Sequence, residues 1–269
     1  MSPRRSVASN HPVIAHTLPS SAGPVDPAII EDVVAANRVL AKEGVLDAFG
    51  HVSIRHPRDP NRYLMSRSRS PILVVADDIM EFDLDSNPVD SPGRSPYGER
   101  FIHGQIYKSR PDVHAVVHSH SSTVVPFSVS QVALRPIAHT ATFLFGGVPV
   151  FDIQKEDIGA TGLLVSNNKL GAALAATLAD RPVVLMRGHG NVVVGPTVPR
   201  AVVRAIYTEL NARQLAIAIS LGGPIKYISA EEAVELPVAL GLERAWEVMK
   251  LTALGKYAAA PASPRRDSV

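Results

Sequence analysis

The chain has 269 residues, 46% of them hydrophobic and 19% charged, with a formal net charge of +2 and no cysteine. That length can bury a sizeable core, and the composition is that of an ordinary globular protein. The small net charge, with Arg4, Arg5, Arg265 and Arg266 gathered at the ends, argues against nucleic acid as a partner, and the missing thiols exclude disulfides, cysteine nucleophiles and thiolate metal sites. No apolar run approaches the roughly 18 residues of a membrane span, and the first residues lack the apolar core and cleavage site of a secretory leader. A cytoplasmic location without a membrane partner is therefore expected.

Residues 1–24 are rich in Ser, Pro and Arg without periodicity and read as a mobile arm. The main domain is expected over 25–256, with a loose Ala/Pro/Arg tail over 257–269. Asp26-Pro27 predicts a helix start, an N-cap followed by proline at the first helical position. Ile30, Val33, Val34, Leu40 and Ala41 mark one face of that helix, and Gly44 can stop it. Residues 50–55 alternate as a strand, and 63–66 form another. The run Ser66-Arg-Ser-Arg-Ser70 is either a solvated loop or a place where Arg67 and Arg69 meet an anion. Residues 79–84 read as a strand, followed by the turn Asp85-Ser-Asn-Pro. Residues 97–108 have helical character, and the spacing of Glu99 and His103 puts them on one helical face.

After a Pro-Asp turn, Ala115, Val116 and Val117 form an apolar run that predicts a strand buried on both faces. If it continues through Ser119, the period of two turns His118 and His120 to the same side. Further strands are expected over 148–151 and 183–186, and an Ala- and Leu-rich helix over 167–178. The strand at 183–186 runs into Arg187-Gly-His189-Gly190, where flanking glycines allow close backbone approach. A long amphipathic helix over 199–220 ends at Gly222-Gly223, and a last helix covers 243–254. With no internal repeat and no clear linker, one α/β domain is the economical reading.

Two neutral imidazoles on one face are good ligands for zinc and similar ions, although a lone pair is more often a set of core histidines satisfied by hydrogen bonds. His189 and Glu99 would complete a divalent site with His118 and His120. Three imidazoles leave the cation nearly all its charge, and a coordination position stays open for substrate. Spacing alone leaves open that His189 sits in its glycine-rich turn for unrelated reasons.

Over roughly residues 28–220 the order of these motifs resembles the class II aldolase/adducin family. Gly50-His-Val-Ser-Ile-Arg55 is similar to the family's Gly-Asn-Val-Ser-x-Arg strand. Glu99-Arg-Phe-Ile-His103, Tyr107, Arg110-Pro-Asp and Ala115-Val-Val-His-Ser-His120 follow its most characteristic block. Gly188-His-Gly190 is similar to its third metal-histidine motif, and a long helix carrying Glu209 follows. The resemblance implies a single-domain α/β/α fold with a central, mainly antiparallel sheet flanked by helices. It also implies a C4-type homotetramer with active sites near subunit interfaces. One divalent ion per subunit, Mn2+ or Zn2+, would rest on His118, His120 and His189, with Glu99 as a metal contact or base.

The departures from the family pattern carry information about substrate. Sugar-phosphate members hold phosphate with a Ser-Ser pair before the motif glutamate, a Thr-Gly loop and an Asn. Here these positions are Tyr97-Gly98, the segment 66–70 and His51. Small donors have given way to Arg67 or Arg69, His51 and Tyr97. Arginine's planar fork matches a carboxylate, and an aromatic ring stacks on a flat substrate. The aldolases' catalytic Tyr has no clear counterpart; His139 or Thr140 falls near its position, with His139 either a proton donor or a structural hydrogen bonder. The resulting expectation is a metal-dependent decarboxylase of a hydroxylated aromatic or pyridine dicarboxylate. Such an activity exists in the family for 3-hydroxy-2-methylpyridine-4,5-dicarboxylate of vitamin B6 breakdown. The cation would stabilise an enolate-like intermediate, Arg67 or Arg69 would hold the second carboxylate, and Glu99, His51 or His139 would protonate the ring. The alternative is a metal-dependent aldolase cleaving an unphosphorylated hydroxy-keto acid. A non-catalytic adducin-like module would be expected to lose the metal histidines, and all three are present.

Overall fold

The computed structural model describes residues 20–89, 92–156, 162–233 and 242–257. Most of the expected arm and tail, 1–19 and 258–269, lies outside the described residues. Residues 21 and 22 are tied to the domain, since Ser21 Oγ and the Ala22 N–H donate to Glu81 at 2.6 and 2.9 Å.

Among the described residues, eight strands form one sheet: β1 (His51–Arg55), β2 (Arg62–Ser66), β3 (Ile79–Asp83), β4 (Pro88–Val89), β5 (Ala115–Ser119), β6 (Val150–Phe151), β7 (Val183–Met186) and β8 (Gly190–Gly195). Their spatial order is β4-β3-β2-β1-β5-β8-β7-β6. Only the β6–β7 pair is parallel, as the resemblance led us to expect of a mainly antiparallel sheet. β5 lies between β1 and β8, and all five of its residues are buried. Its period of two divides the interior: Ala115 and Val117 join one core, and Val116 joins the other.

Helices α1 (Pro27–Lys42), α5 (Val198–Ser220) and α6 (Leu242–Ala253) cover the first face, and α2 (Phe101–Ser109) and α4 (Asn168–Leu178) the second. A short α3 spans Val125–Val129. The α1 start is built as its sequence predicts: Asp26 accepts from the Ala28 N–H at 2.9 Å, and Pro27 follows. Gly44, at φ +71°, takes the chain out of the helix. α2 and α4 pack closely because Gly171 has no Cβ; one placed there would lie 2.4 Å from the Phe101 carbonyl oxygen. Among the described residues no helix is long and apolar enough to cross a membrane.

The structure differs from the sequence reading in two elements that shape the site. Residues 98–100 form a turn and α2 begins only at Phe101, so Glu99 precedes the helix rather than sharing a face with His103. The sequence reading ends the 183–186 strand at the glycine-rich turn, and the structure adds the strand β8 directly after it. Its Asn-Val-Val-Val run between two glycines fits a buried strand.

Candidate active site

β5 delivers His118 from its interior and His120 from one residue past its end, on the same side. β8 pairs with β5, with Asn191 opposite Ser119, so the turn carrying His189 lies alongside His120. This approach requires a glycine at 190: a Cβ there would lie 1.9 Å from the Ser119 carbonyl oxygen. Glu99 enters from the turn before α2. One ligand atom from each of Glu99, His118, His120 and His189 lies within 4.8 Å of all the others. His118 Nε2 is 3.2 Å from His120 Nε2, and Glu99 Oε2 is 3.5 and 3.4 Å from His118 Nε2 and His189 Nε2.

The second layer of contacts fixes which atoms converge. His118 Nδ1 faces the Asn191 carbonyl at 3.2 Å, and His189 Nδ1 faces the Leu163 carbonyl at 2.9 Å. His120 Nδ1 faces both Asp47 oxygens at 3.1 and 3.2 Å. An acceptor at each Nδ1 holds the ring proton there and leaves the Nε2 lone pair for a cation. Glu99 Oε1 accepts from the Val165 N–H at 2.9 Å, which leaves Oε2 facing the imidazoles. Three nitrogens and one carboxylate oxygen, with no sulfur, fit a divalent cation such as Zn2+ or Mn2+.

Charge follows the same geometry. Burial raises the Glu99 pKa, but its hydrogen bonds with His118 and His189 outweigh this and hold it well below the usual carboxylate range. Burial lowers the pKa of His189, yet the contact with Glu99 leaves it above the ordinary value. His120 is lowered, by burial first and by neighbouring His118 second. Behind the cluster, buried Glu209 on α5 accepts from Ser121 Oγ, which anchors the residue after His120.

A cavity of about 430 Å³ opens beside the cluster, and its walls include Phe49, His51, Arg69, Tyr97, Glu99 and His120. His51 on β1 is the register partner of His118 on β5, which places it against the ligands. Its Nδ1 is 2.7 Å from His103 Nε2, His103 Nδ1 is 2.6 Å from Ser53 Oγ, and Ser53 Oγ is 2.8 Å from the Tyr107 hydroxyl. Burial drives His51 well below the usual imidazole range and His103 down to about 3. Tyr97 packs its ring 4.5 Å from that of His51, and burial raises its phenol pKa. The Arg69 N–H donates to the Tyr97 hydroxyl at 3.3 Å, and that hydroxyl donates to the Arg69 carbonyl.

Several expected residues lie elsewhere. Arg67 does not line this cavity; its Nε donates to Asp78 at 2.6 Å, which draws the guanidinium aside. His139 is exposed at the start of a 3-10 turn spanning His139–Leu144 that packs on α5, and it is not among the cavity residues. His103 stands outside the ligand cluster and braces His51 and Ser53. Sequence reading missed Asp47 and Asp78. The first had a local signal, an Asp three residues before Gly50, the usual pattern of a side-chain-capped turn.

The Class II Aldolase and Adducin N-terminal domain family model matches residues 31–216. This chain belongs to the class II aldolase/adducin family. Within it, the decarboxylase tropJ of Talaromyces stipitatus is 39% identical over 204 residues, covering 71% of this chain and 77% of that protein. The 3,4-dihydroxyphthalate decarboxylase of Arthrobacter keyseri is 34% identical over 222 residues, covering 77% and 85% of the two chains. Among solved structures, an aldolase II superfamily protein from Pseudomonas syringae superposes with a TM-score of 0.72 at 23% identity, over 85% of this chain and 94% of that one. L-fuculose 1-phosphate aldolase from Glaciozyma antarctica gives 0.70 at 21% identity, over 88% and 97%. At these identities the two structures establish the fold.

Proposed function

We propose that this class II aldolase family member is a divalent-metal-dependent decarboxylase of hydroxylated aromatic dicarboxylates. The chain is a lyase, in keeping with its decarboxylase relatives and aldolase family. The observation that carries the finer reading is a single cavity lined both by Glu99 and His120 of the ligand cluster and by Arg69. A metal-facing edge and a carboxylate-binding edge in one space suit a ring that bears a hydroxyl beside one carboxylate and a second carboxylate farther on. The substrate in the name of the Arthrobacter relative, 3,4-dihydroxyphthalate, has that pattern.

A divalent cation held by His118, His120, His189 and Glu99 would supply Lewis acidity to the oxygen next to the breaking carbon–carbon bond. Arg69 binds the carboxylate that stays, and Tyr97 and His51 offer ring faces to the substrate. Carbon dioxide leaves without the bonding electron pair, and a proton must reach the vacated ring carbon. If the donors run from Tyr107 through Ser53 and His103, the His51 proton sits on Nε2, the nitrogen not bonded to His103. His51 is then the proton donor to the ring, its Nε2 proton replaced by one passed to Nδ1 from His103 and, through Ser53, from the Tyr107 hydroxyl, which takes a proton back as the chain resets. Glu99 is the other acid or base in reach, and His139 would need to enter from outside this chain's cavity. The pyridine ring of 3-hydroxy-2-methylpyridine-4,5-dicarboxylate carries the same groups and belongs in the same substrate panel. The proposal extends to Mn2+ or Zn2+ as the ion, which mixed His and carboxylate ligation suits. It also extends to a homotetramer with sites near subunit interfaces, and to the cytoplasm as the compartment.

The test is carbon dioxide release by metal-loaded protein across a panel of hydroxy-aromatic and hydroxypyridine dicarboxylates, with His118→Ala as control. Release that depends on metal and vanishes in the variant is expected, with 3,4-dihydroxybenzoate as the product from 3,4-dihydroxyphthalate. An aldehyde from a hydroxy-keto acid, with no carbon dioxide from any panel member, would replace this reading with the aldolase one.

A further inference from the structure

The run Ser66-Arg-Ser-Arg-Ser70 brings two guanidinium groups to one buried carboxylate. Asp78 is 3% exposed, and its Oδ1 accepts from Arg67 Nε at 2.6 Å and Arg69 Nη1 at 3.1 Å. Its Oδ2 accepts from Arg69 Nη1 at 3.1 Å and from the Val75 N–H at 2.9 Å. Two cations around one anion leave one surplus positive charge, and of the two only Arg69 lines the cavity, flanked by Ser68 and Ser70.

The backbone of the same segment is fastened independently. The Arg67 N–H donates to the Asp78 carbonyl at 2.7 Å, and the Ser68 N–H to the Ser95 carbonyl at 2.8 Å. Tyr97 closes on both the N–H and the carbonyl of Arg69. Arg69 is therefore fixed at its main chain by Tyr97 and at one edge of its guanidinium by Asp78. Its Nε and Nη2 have no hydrogen-bond partner among the described residues, and the side chain is 32% exposed. A free arginine loses much rotamer freedom when it captures an anion. One already clamped loses little, so its donors bind the anion with less entropic opposition.

We infer that Asp78 is a positioning residue which, by clamping Arg69 Nη1, aims the remaining guanidinium donors at the substrate's second carboxylate and makes the site select dicarboxylates over monocarboxylates. This rests on the decarboxylase reading for its substrate class, but the subsite binds its anion by geometry that requires no turnover.

Phthalate and benzoate separate the two questions, because neither carries the ring hydroxyl beside a carboxylate that the proposed chemistry uses. Calorimetric titration of metal-loaded wild-type protein should show phthalate bound more tightly than benzoate. Asp78→Asn should weaken phthalate about tenfold and leave benzoate within about twofold. Arg69→Met should remove the preference for phthalate, and adding Asp78→Asn to it should cost nothing more, since both act on one contact. General damage to the loop would instead make the two losses additive and lower both affinities. Thermal melts identify a variant that fails to fold, in which case Asp78→Glu, which keeps the charge and moves the carboxylate, takes its place with the same expectation. The inference is overturned by wild-type protein without a phthalate preference, by equal losses for both ligands, or by additive losses in the double variant. Selective phthalate binding without carbon dioxide release from any substrate would sink the decarboxylase reading and leave this one standing. Carbon dioxide release with equal efficiency from matched di- and monocarboxylates would do the reverse.

Discussion

Asp47 lies in the turn between α1 and β1, and its carboxylate serves two structures at once. Oδ1 accepts from the N–H groups of Phe49 and Gly50 at 2.8 and 2.9 Å, and both oxygens face His120 Nδ1 at 3.1 and 3.2 Å. Asp47→Asn keeps Oδ1 for the turn and puts an amide nitrogen in place of Oδ2, the nearer of the two oxygens that face His120 Nδ1. An N–H group opposite Nδ1 favours the tautomer with its proton on Nε2, the atom that points at His118 Nε2 from 3.2 Å. The ligating tautomer of His120 is disfavoured without moving a backbone atom. Loss of such an outer partner costs about 10- to 100-fold in metal affinity. The Asp47 side chain is 45% exposed, so water moderates the effect, and the lower end applies: about tenfold, or about 1.4 kcal/mol. Competition of wild type and variant with a chromophoric chelator for Zn2+ or Mn2+ measures the change, and melts of the metal-free proteins check the turn. Equal metal affinities with equal melting temperatures would refute the claim that Asp47 sets the His120 tautomer.

The pH dependence of metal binding has a fixed sign. In the metal-free protein Glu99 raises the His189 pKa above the ordinary imidazole value of 6.5, and a cation must displace that proton. Affinity should therefore climb with pH, by up to about tenfold per unit, until the raised value is passed, and then flatten. Folding stability of the metal-free protein runs the other way. The His189 contribution is complete below the unfolded pKa and is lost as pH rises through the folded one, whereas that of Glu99 is lost only as pH falls far below 4.5. Metal titrations that weaken as pH rises across neutrality would contradict this assignment. Gly190→Ala forces β5 and β8 apart where a Cβ would meet the Ser119 carbonyl oxygen at 1.9 Å, and should cost about 1–3 kcal/mol of stability together with metal binding; an unchanged melt refutes it. His103→Leu leaves His51 Nδ1 without its 2.7 Å partner and should cost about 1–3 kcal/mol in a melt, lower kcat and leave metal content intact. Parallel loss of metal would show that His103 belongs with the ligands.

What the sequence made legible is what backbone geometry alone decides. His118 and His120 share a face because any strand has a period of two, and Asp26-Pro27 starts α1 because capping is local. Helix ends are set by competing hydrogen bonds over one or two residues, so periodicity carried the second helix back through Glu99 when it begins at Phe101. Arg67 and Arg69 have the same chemistry and neighbouring positions. What separates them is Asp78, nine and eleven residues away around a turn that no local spacing reports. The Asp47 turn was locally readable, but its contact with His120 spans 73 residues and exists only because β1 pairs with β5. His139 was placed by its distance along a family pattern, and an irregular 3-10 turn carries it to the exterior.

These differences divide the site into two parts with different physical origins. The ligand cluster depends on backbone relations among β5, β8 and the turn between β7 and β8, with glycine at 190 where the strands nearly touch. Such relations belong to a fold, and the fold as a whole is shared at 21% identity with an L-fuculose 1-phosphate aldolase. The anion wall depends on side chains that the same backbone leaves free to vary: position 51, opposite His118 in the β1–β5 register, and the segment 67–70 clamped to Asp78. An imidazole at 51 needs a polar partner behind it when buried, and His103 supplies one at 2.7 Å. In the proposed function, exchange of small donors for His51 and Arg69 would change the anion that fits without disturbing the atoms that converge on a cation. On the proposed reading, variation in substrate within one metal-binding frame follows from that separation, with specificity assigned to position 51 and the β2–β3 connection rather than to the histidine strand.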